Sequence, residues 1–598
     1  MRAIGPLAAV IAAATGSAFG LAMTPMANAG AAATTWAPTA TQATPALEGA
    51  TSLGQLAATT PVTVTLGLAL RNQSALQSFI AAASNPSSAD FGNYYTPTTF
   101  TATFGPTSTS VKAVTSYLSS EGFTSVSASS NNLLVTATGT AAAAEKAFDT
   151  TLGAFELNGA LVYANTSAAM VPSSLSGTVV GVLGLNDVFK ASAAPAVAVP
   201  AVAAPAGAST HTITGVNVTE SFTPAGFQKA YGATGTATGS KTTIATISAG
   251  AMTGPIANLR VEEKSNDLPQ VPVTVEYAGP ESAATTTAAV EWDLDSQYAT
   301  GMAQDVSHFY FYDASSLTDA ALALDYNKWA SQDLAKAASA SLGECEYQPY
   351  VDGSMVIDDE VFEEAAAQGQ TMFASSGDSG ATCSVGLPNG VPDSGAPMVN
   401  YPASSPWVVA VGGTMLETKT TGAYDYEVSW YAGGGGLSQF EIPQSWQKEV
   451  LPVTAGETND RGVPDIAMDA DPTTGAKVYT ASTTALYAET GWEQVGGTSL
   501  SAPLALGTWA RIESSYSNRL GFAAGDLYGV YLDGTCNADT GTVEAVCTTP
   551  ALHAPVAGFN GIYPATPGYN YDTGIGSFDT AAMVTAIKSF VPATLRRR

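Results

Sequence analysis

Gly496-Gly497-Thr498-Ser499-Leu500-Ser501-Ala502-Pro503 precedes an apolar run from Leu504 to Trp509 that predicts a helix. A serine at a helix start sits among free backbone N–H groups and the positive end of the helix dipole, where an oxyanion can be held. The same residues would also serve as an N-cap after a glycine turn, so the motif alone decides nothing. A serine nucleophile needs a base. The chain has 3 histidines, His211, His308 and His553. His211 falls in an Ala/Pro-rich stretch, His308 in an apolar strand-like run, and His553 in a proline-flanked stretch expected at the surface. None sits in a pattern suited to a triad base, which disfavours a neutral-pH Ser-His-Asp enzyme.

Carboxylates remain. Glu291 and Asp295 are four residues apart, hence on one helix face. Thr287, Ala288, Tyr298 and Ala299 share that face, which is otherwise uncharged and predicted to be buried. No Lys or Arg occurs from Ser265 to Asn327 to hold the pair ionised. Two close, buried carboxylates titrate as a coupled pair, one proton staying on to higher pH. By contrast, Asp359, Glu360, Glu363 and Glu364 read as an ordinary solvated acidic face. The third element is Ser375-Ser376-Gly377-Asp378-Ser379-Gly380, which follows the apolar run Thr371 to Ala374. Ala381-Thr382 follows, so this is not the serine-protease Gly-Asp-Ser-Gly-Gly-Pro. At a strand end, a protonated Asp378 could donate to a developing oxyanion. A carboxylate base and a carboxylic acid donor both imply work in acid.

The elements that must position these residues follow an α/β pattern. Strand-like runs at Thr243 to Ile247, Val306 to Tyr312, Thr371 to Ala374 and Trp407 to Val411 alternate with helices and Gly-rich turns. That order predicts a parallel sheet with crossover helices and a site at the strands' carboxyl ends. Upstream, Val62 to Leu66 alternates like a strand, Val111 to Gly122 has helical spacing, Asn132 to Ala137 is strand-like, and Ala141 to Leu152 is helical. This block is α+β and carries no nucleophile, base or metal cluster, which suits a folding or covering module. Residues 190–209 are nearly all Ala, Pro, Val and Gly and predict an exposed linker. The first 29 residues have the basic start, short apolar run and Ala27-Asn28-Ala29 exit of a secretory signal. Residues 30–59 form a low-complexity segment, and no further membrane span is expected. Export permits disulfides; of the three possible pairings, proximity favours Cys536–Cys547, leaving Cys345–Cys383.

Composition narrows the function. The 598 residues carry 50 acidic and 21 basic side chains, a net charge of −29, which excludes a phosphate-neutralising nucleic-acid binder. With 3 His and 4 Cys, a multi-ligand zinc enzyme is disfavoured. At 12% charged and 45% hydrophobic residues, the chain is no disordered polyelectrolyte. Few cations also means little self-repulsion once the carboxylates protonate, which suits an acidic medium.

The three motifs, in this order, resemble the sedolisins, the kumamolisin-like serine-carboxyl peptidases. Tyr401 to Thr414, Gly433 to Ser438 and Arg461 to Ala467 look like further family blocks. Tyr94-Tyr95-Thr96-Pro97, Phe104-Gly105-Pro106, Gly122-Phe123-Thr124 and Ala144 to Phe148 resemble the pro-kumamolisin activation domain. The likeness covers about residues 60–188 and 218–590. It implies an α/β, subtilisin-like catalytic domain with a central parallel sheet over 218–598, preceded by an α+β, ferredoxin-like propeptide domain over 60–189. Processing would fall in a linker at 190–217. By motif match Ser499 would be the nucleophile, Glu291 its general base and later acid, Asp295 the partner sharing a proton with Glu291, and Asp378 the oxyanion donor. The implied protein is a secreted, self-processing acid endopeptidase zymogen, monomeric, inhibited by its own propeptide, with protein or peptide substrates. Acid would loosen the propeptide, with loss of charge on its interface carboxylates as the trigger.

Two departures modify this. The family's calcium-site aspartates are replaced by Gly561 and Asn570, so weak or absent calcium binding is expected and no cofactor is required. Asp572 and Asp579 are unmatched substitutes. Ser248 and Leu342 stand where kumamolisin-like members carry an outer Glu and a Trp, so Glu291 needs a different support. Two rivals use the same composition: a non-catalytic secreted surface or adhesion protein, and a histidine-dependent serine hydrolase.

Overall fold

Val62, Val64 and Leu66 bury one face of the strand Pro61–Leu68, as their alternation predicts. The computed structural model describes residues 34–590, apart from 47, 86–87, 194–195, 198–220, 281–288, 384–396, 453–459, 482–490, 535, 539–543 and 548–549. The signal peptide, His211, Thr287, Ala288 and most of the 190–217 linker lie outside the described residues. Four antiparallel strands run in the order Thr124–Ala128, Leu134–Thr140, Pro61–Leu68, Val179–Leu183. Helices Ser108–Ser120 and Ala141–Ala147 lie between the first and second and between the third and fourth of these in sequence, giving the expected ferredoxin-like βαββαβ arrangement. The second helix stops at Ala147 instead of reaching Leu152. Asp149 takes a left-handed φ of 43° and turns the chain into the strand Leu152–Leu157.

In the larger domain, β1 (Thr243–Ala249), β2 (Val273–Tyr277), β3 (His308–Ala314), β4 (Ala337–Ala340), β5 (Thr371–Ser375), β6 (Val409–Thr418), β7 (Tyr424–Ser429) and β8 (Ile466–Asp469) form one sheet. The order is β2-β3-β1-β4-β5-β6-β7, with β8 also on β6. Every pairing is parallel except β6 with β7. The chain reverses its winding at β1 and β4, which opens a crevice at their carboxyl ends.

Four helices matter to the site: α1 (Ala289–Ala303), α2 (Asp319–Gln332), α3 (Ser354–Ala367) and α4 (Thr498–Ser515). The α1 helix is buried from Val290 to Ala303, carboxylates included. It packs against α4, where Gly507 permits close approach: a Cβ there would lie 2.5 Å from the Ala299 carbonyl oxygen.

The amino-terminal domain sits on α2 and α3. Gly67 and Gly181 open a slot for Ile357, which would meet their Cβ atoms at 2.4 and 3.0 Å. The Tyr94 hydroxyl donates to the Leu520 carbonyl, with its ring laid against Gly369 and Gly521. The acidic run on α3 is therefore not solvated. Glu360, Glu363 and Glu364 are buried at 6%, 2% and 0% exposure. Glu360 accepts from the Leu70 N–H (2.8 Å) and the Gln73 amide (3.1 Å), and Glu364 accepts from the Asn131 amide (2.6 Å). Helical spacing put these carboxylates on one face; only the docking partner covers it.

Further expectations are corrected. His553 is no surface residue: it lies in the strand Leu552–Pro555 with its ring stacked 3.6 Å from that of Tyr424. Burial lowers its pKa to about 4. His308 opens β3 and its Nε2 lies 2.8 Å from the Thr274 hydroxyl. The linker is not exposed from its start, since Ala191 and Ala193 are buried. The disulfide Cys345–Cys383 is formed. Cys536 and Cys547 stand opposite each other in backbone register, and their side chains lie outside the described residues.

Candidate active site

The α4 helix begins at Thr498, so Ser499 lies in its first turn, after Gly497 at a φ of +93° that an L side chain rarely adopts. Thr498 ties this turn to the loop after β5. Its N–H and its hydroxyl each donate to Asp378 Oδ1 at 2.7 Å, and its hydroxyl accepts from the Gly377 N–H at 3.0 Å. Asp378 is thus fixed beside the start of α4, three residues after the end of β5.

Asp295 projects from α1 to the middle of β1 and the residue that follows β4. Its Oδ2 accepts from the Thr246 hydroxyl (2.7 Å) and its Oδ1 from the Ser341 hydroxyl (2.5 Å). Ser341 Oγ also lies 3.2 Å from the Ser499 carbonyl. Sequence reasoning passed over both Thr246 and Ser341. The available signals were a hydroxyl inside the apolar β1 run and a Ser-Leu-Gly following the apolar β4 run. These two hydroxyls are the support that Ser248 and Leu342 do not supply: Ser248 donates instead to the Tyr312 carbonyl, and Leu342 is simply buried.

Glu291, one turn earlier on α1, is fully buried, and neither of its oxygens has a formed hydrogen bond. The Ser499 hydroxyl is nonetheless near enough to favour its ionised form. Burial, then the Asp295 charge, hold the Glu291 carboxyl well above the usual carboxylate range, with Asp378 adding a smaller push. Burial also raises Asp295, opposed by its bonds from Ser341 and Thr246. The pair therefore keeps a proton to higher pH than isolated carboxyls would. Asp378 is raised by burial and pulled back by the two Thr498 donors.

Ser499 and Asp378 line an open cleft of about 560 Å³ together with Ser341, Gly343 and Asn400. A residue of the amino-terminal segment, Ser192, lines it too. Ser499, Glu291, Asp295 and Asp378 are thus brought together, whereas neither His308 nor His553 lines this cleft.

Residues 48–188 match the family described as Pro-kumamolisin, activation domain, and residues 282–532 match the subtilase family. Sedolisin from Pseudomonas sp. (strain 101) is 35% identical over 585 residues, covering 93% of each chain. The chain belongs to the sedolisin family. Xanthomonalisin from Xanthomonas sp. (strain T-22) is 33% identical, covering 90% of this chain and 67% of its own length. The solved structure of Pseudomonas sedolisin, a serine-carboxyl proteinase complexed with two molecules of pseudo-iodotyrostatin, is matched with a TM-score of 0.55 and 34% identity. That match covers 62% of this chain and 99% of the other. The chain is accordingly a serine-carboxyl peptidase made with an activation domain, a zymogen, and the adhesion reading falls. No described helix is long and apolar enough to cross a membrane.

At the positions of the family's calcium aspartates the donors are poor, whereas Asp572 in the same turn is buried with no formed hydrogen bond to either carboxylate oxygen. Gly561 offers no side chain, and Asn570 Oδ1 already accepts from the Asp572 and Thr573 N–H groups and the Thr573 hydroxyl. Asp579 Oδ1 is engaged by the Ala582 N–H. Among the described residues no group of three His, Cys, Asp or Glu is placed to hold a metal ion.

Proposed function

We propose that this sedolisin-family zymogen is a secreted, self-processing endopeptidase that works in acid through Ser499, Glu291, Asp295 and Asp378, without calcium. One observation carries the reading: the hydroxyl at the start of α4 faces buried carboxyls on α1 and has no histidine partner among the described residues. In the forward step Glu291 takes the Ser499 proton as Oγ bonds to the substrate carbonyl carbon. The carbonyl oxygen, now an anion, accepts from the protonated Asp378 and from the Ser499 backbone N–H. Glu291 then passes its proton to the leaving nitrogen as the C–N bond breaks. Water repeats the sequence on the acyl-enzyme. Asp295, fixed by Thr246 and Ser341, shares a proton with Glu291 and orients it.

Glu291 must be ionised while Asp378 is protonated, so activity falls once Asp378 loses its proton, and its raised pKa moves that limit upward. The raised pKa of Glu291 moves the acidic limb upward as well, so the working form is the minor arrangement in which the Glu291–Asp295 pair has given up one proton while Asp378 keeps its own. The test is the pH–rate profile of the activated enzyme on a denatured protein. A maximum in acid with a fall toward neutrality is expected, with a loss of about 10²–10⁴-fold in Glu291→Gln. A rate that climbs toward pH 7, or a Glu291→Gln enzyme of normal activity, overturns it.

A further inference from the structure

A second recess adjoins the catalytic cleft and shares Leu342 with it. It encloses about 240 Å³ between the start of α2, the residues after β4 and one face of α3. Leu322 and Tyr326 line its walls, and Asp319, Glu344 and Asp358 give it three carboxyls. Asp319 and Asp358 are only 5% and 3% exposed. No donor reaches Asp319 Oδ2, Glu344 Oε2 or Asp358 Oδ1. Asp319 is close enough to Glu344 and to Asp352 to share a proton with them, and Asp352 Oδ1 accepts from the Ser354 N–H at 2.9 Å. The titratable groups facing these carboxyls are one another, Asp359, Tyr326 and Tyr401, with no Lys, Arg or His among them. None of the ion pairs among the described residues includes them.

Buried carboxyls without donors are satisfied in two ways, by protons held between them or by a cation placed among them. Burial, then the neighbouring carboxyls, hold Asp319 and Asp358 well above the usual carboxylate range, and burial raises Glu344 to about 7. At rest, therefore, the recess is protonated. A metal ion does not match it, since among the described residues no group of three carboxyls is placed to hold one. A guanidinium or ammonium on a flexible stem reaches acceptors that stand further apart, while its stem covers the apolar walls. In the zymogen Ala191 lines the recess, its N–H donating to the Leu317 carbonyl at 2.9 Å, and the space left holds about one water. A methyl group offers these carboxyls neither charge nor a hydrogen bond. Resting on the peptidase reading above, we propose that this recess is a specificity site that takes an Arg or Lys side chain of the substrate, at one fixed position from the scissile bond, once Ala191 has left it. Entry of the cation displaces a proton from the carboxyls, so the preference strengthens as pH rises through the acid range.

The test uses the chain without residues 1–29, opened in acid or by an added protease in 198–217, on denatured casein, with every cut site read by mass spectrometry. Arg and Lys should be enriched at one position relative to the cut. A peptide with Arg at that position should then show a kcat/KM about tenfold above the same peptide with citrulline, which keeps the shape without the charge. Taking this ratio removes the pH dependence of the catalytic carboxyls, and the ratio should rise from about pH 3 to about pH 5. Asp358→Asn should bring the ratio close to one; if that variant does not fold, the wild-type ratio and its pH dependence decide alone. Cut sites without an enriched basic position, a wild-type ratio near one at both pH values, or a ratio unchanged in folded Asp358→Asn overturns the proposal. A chain that digests no casein overturns the peptidase reading and this proposal with it.

Discussion

Glu364 on α3 offers a direct test of how acid acts on the zymogen. It is fully buried beneath the amino-terminal domain, accepts from the Asn131 amide at 2.6 Å, and is raised by burial to about 8. Asn131 opposes that rise and Asp333 adds to it. Because the folded, docked state raises this pKa above its ordinary value near 4.5, its stabilising contribution is whole below about pH 4.5. It is lost as pH climbs toward 8. At about 1.4 kcal/mol per unit, the full span would be about 5 kcal/mol, an upper limit that relaxation reduces to about 1–3 kcal/mol. Glu360, raised by burial to about 7, and Glu363, to about 8, act in the same direction. Folding into the docked zymogen therefore takes up protons at these carboxyls, the reverse in sign of a trigger in which neutralised interface carboxylates let the propeptide go, and the melts below decide between the two. The perturbation is Glu364→Gln in a Ser499→Ala background, which cannot process itself by the proposed mechanism; the amide can still accept from Asn131. Thermal melts at pH 4 and pH 7.5 should show no change at the first and a gain of a few degrees at the second. A loss at pH 7.5 with none at pH 4 would mean that Asn131 holds Glu364 ionised and would refute the reasoning.

Thr246→Val removes one of the two hydroxyl bonds that favour ionised Asp295, so the acidic limb of the pH–rate profile should move to higher pH with little change in KM. Asp378→Asn keeps the shape but cannot carry the acid proton to the oxyanion; a fall in kcat of about 10²–10³-fold is expected with KM nearly unchanged. Chelator-treated enzyme titrated with calcium should keep its melting temperature; a large upward shift at micromolar calcium would show that Asp572 or another group replaces the lost carboxylates. Gly507→Ala should lower stability by about 1–3 kcal/mol and cut kcat together, read by denaturant melts and single-turnover rates, because its Cβ would push α4 off the Ala299 carbonyl and move Ser499 from Glu291.

The sequence by itself singled out Ser499, Glu291, Asp295 and Asp378 as candidates, because helix spacing, strand ends and glycine turns are local, and local periodicity decides which side chains share a face; their roles came from the likeness to the family. The α/β and α+β patterns were legible for the same reason, and the family blocks added the likeness to the sedolisins and with it the ferredoxin-like propeptide topology. What tertiary structure alone decided is whatever depends on covering a face from elsewhere in the chain. The α3 glutamates look solvated until strands and loops some 230–290 residues earlier bury them. His553 looks exposed until Tyr424 stacks on it. Thr246 and Ser341 are unremarkable hydroxyls until β1 and β4 lie side by side under α1. The Ala/Pro-rich stretch has no periodicity to read; where it is described, at 190–193 and 196–197, it is held by backbone pairing with Leu317, Gly343 and Gly496, which backbone atoms of any sequence could make.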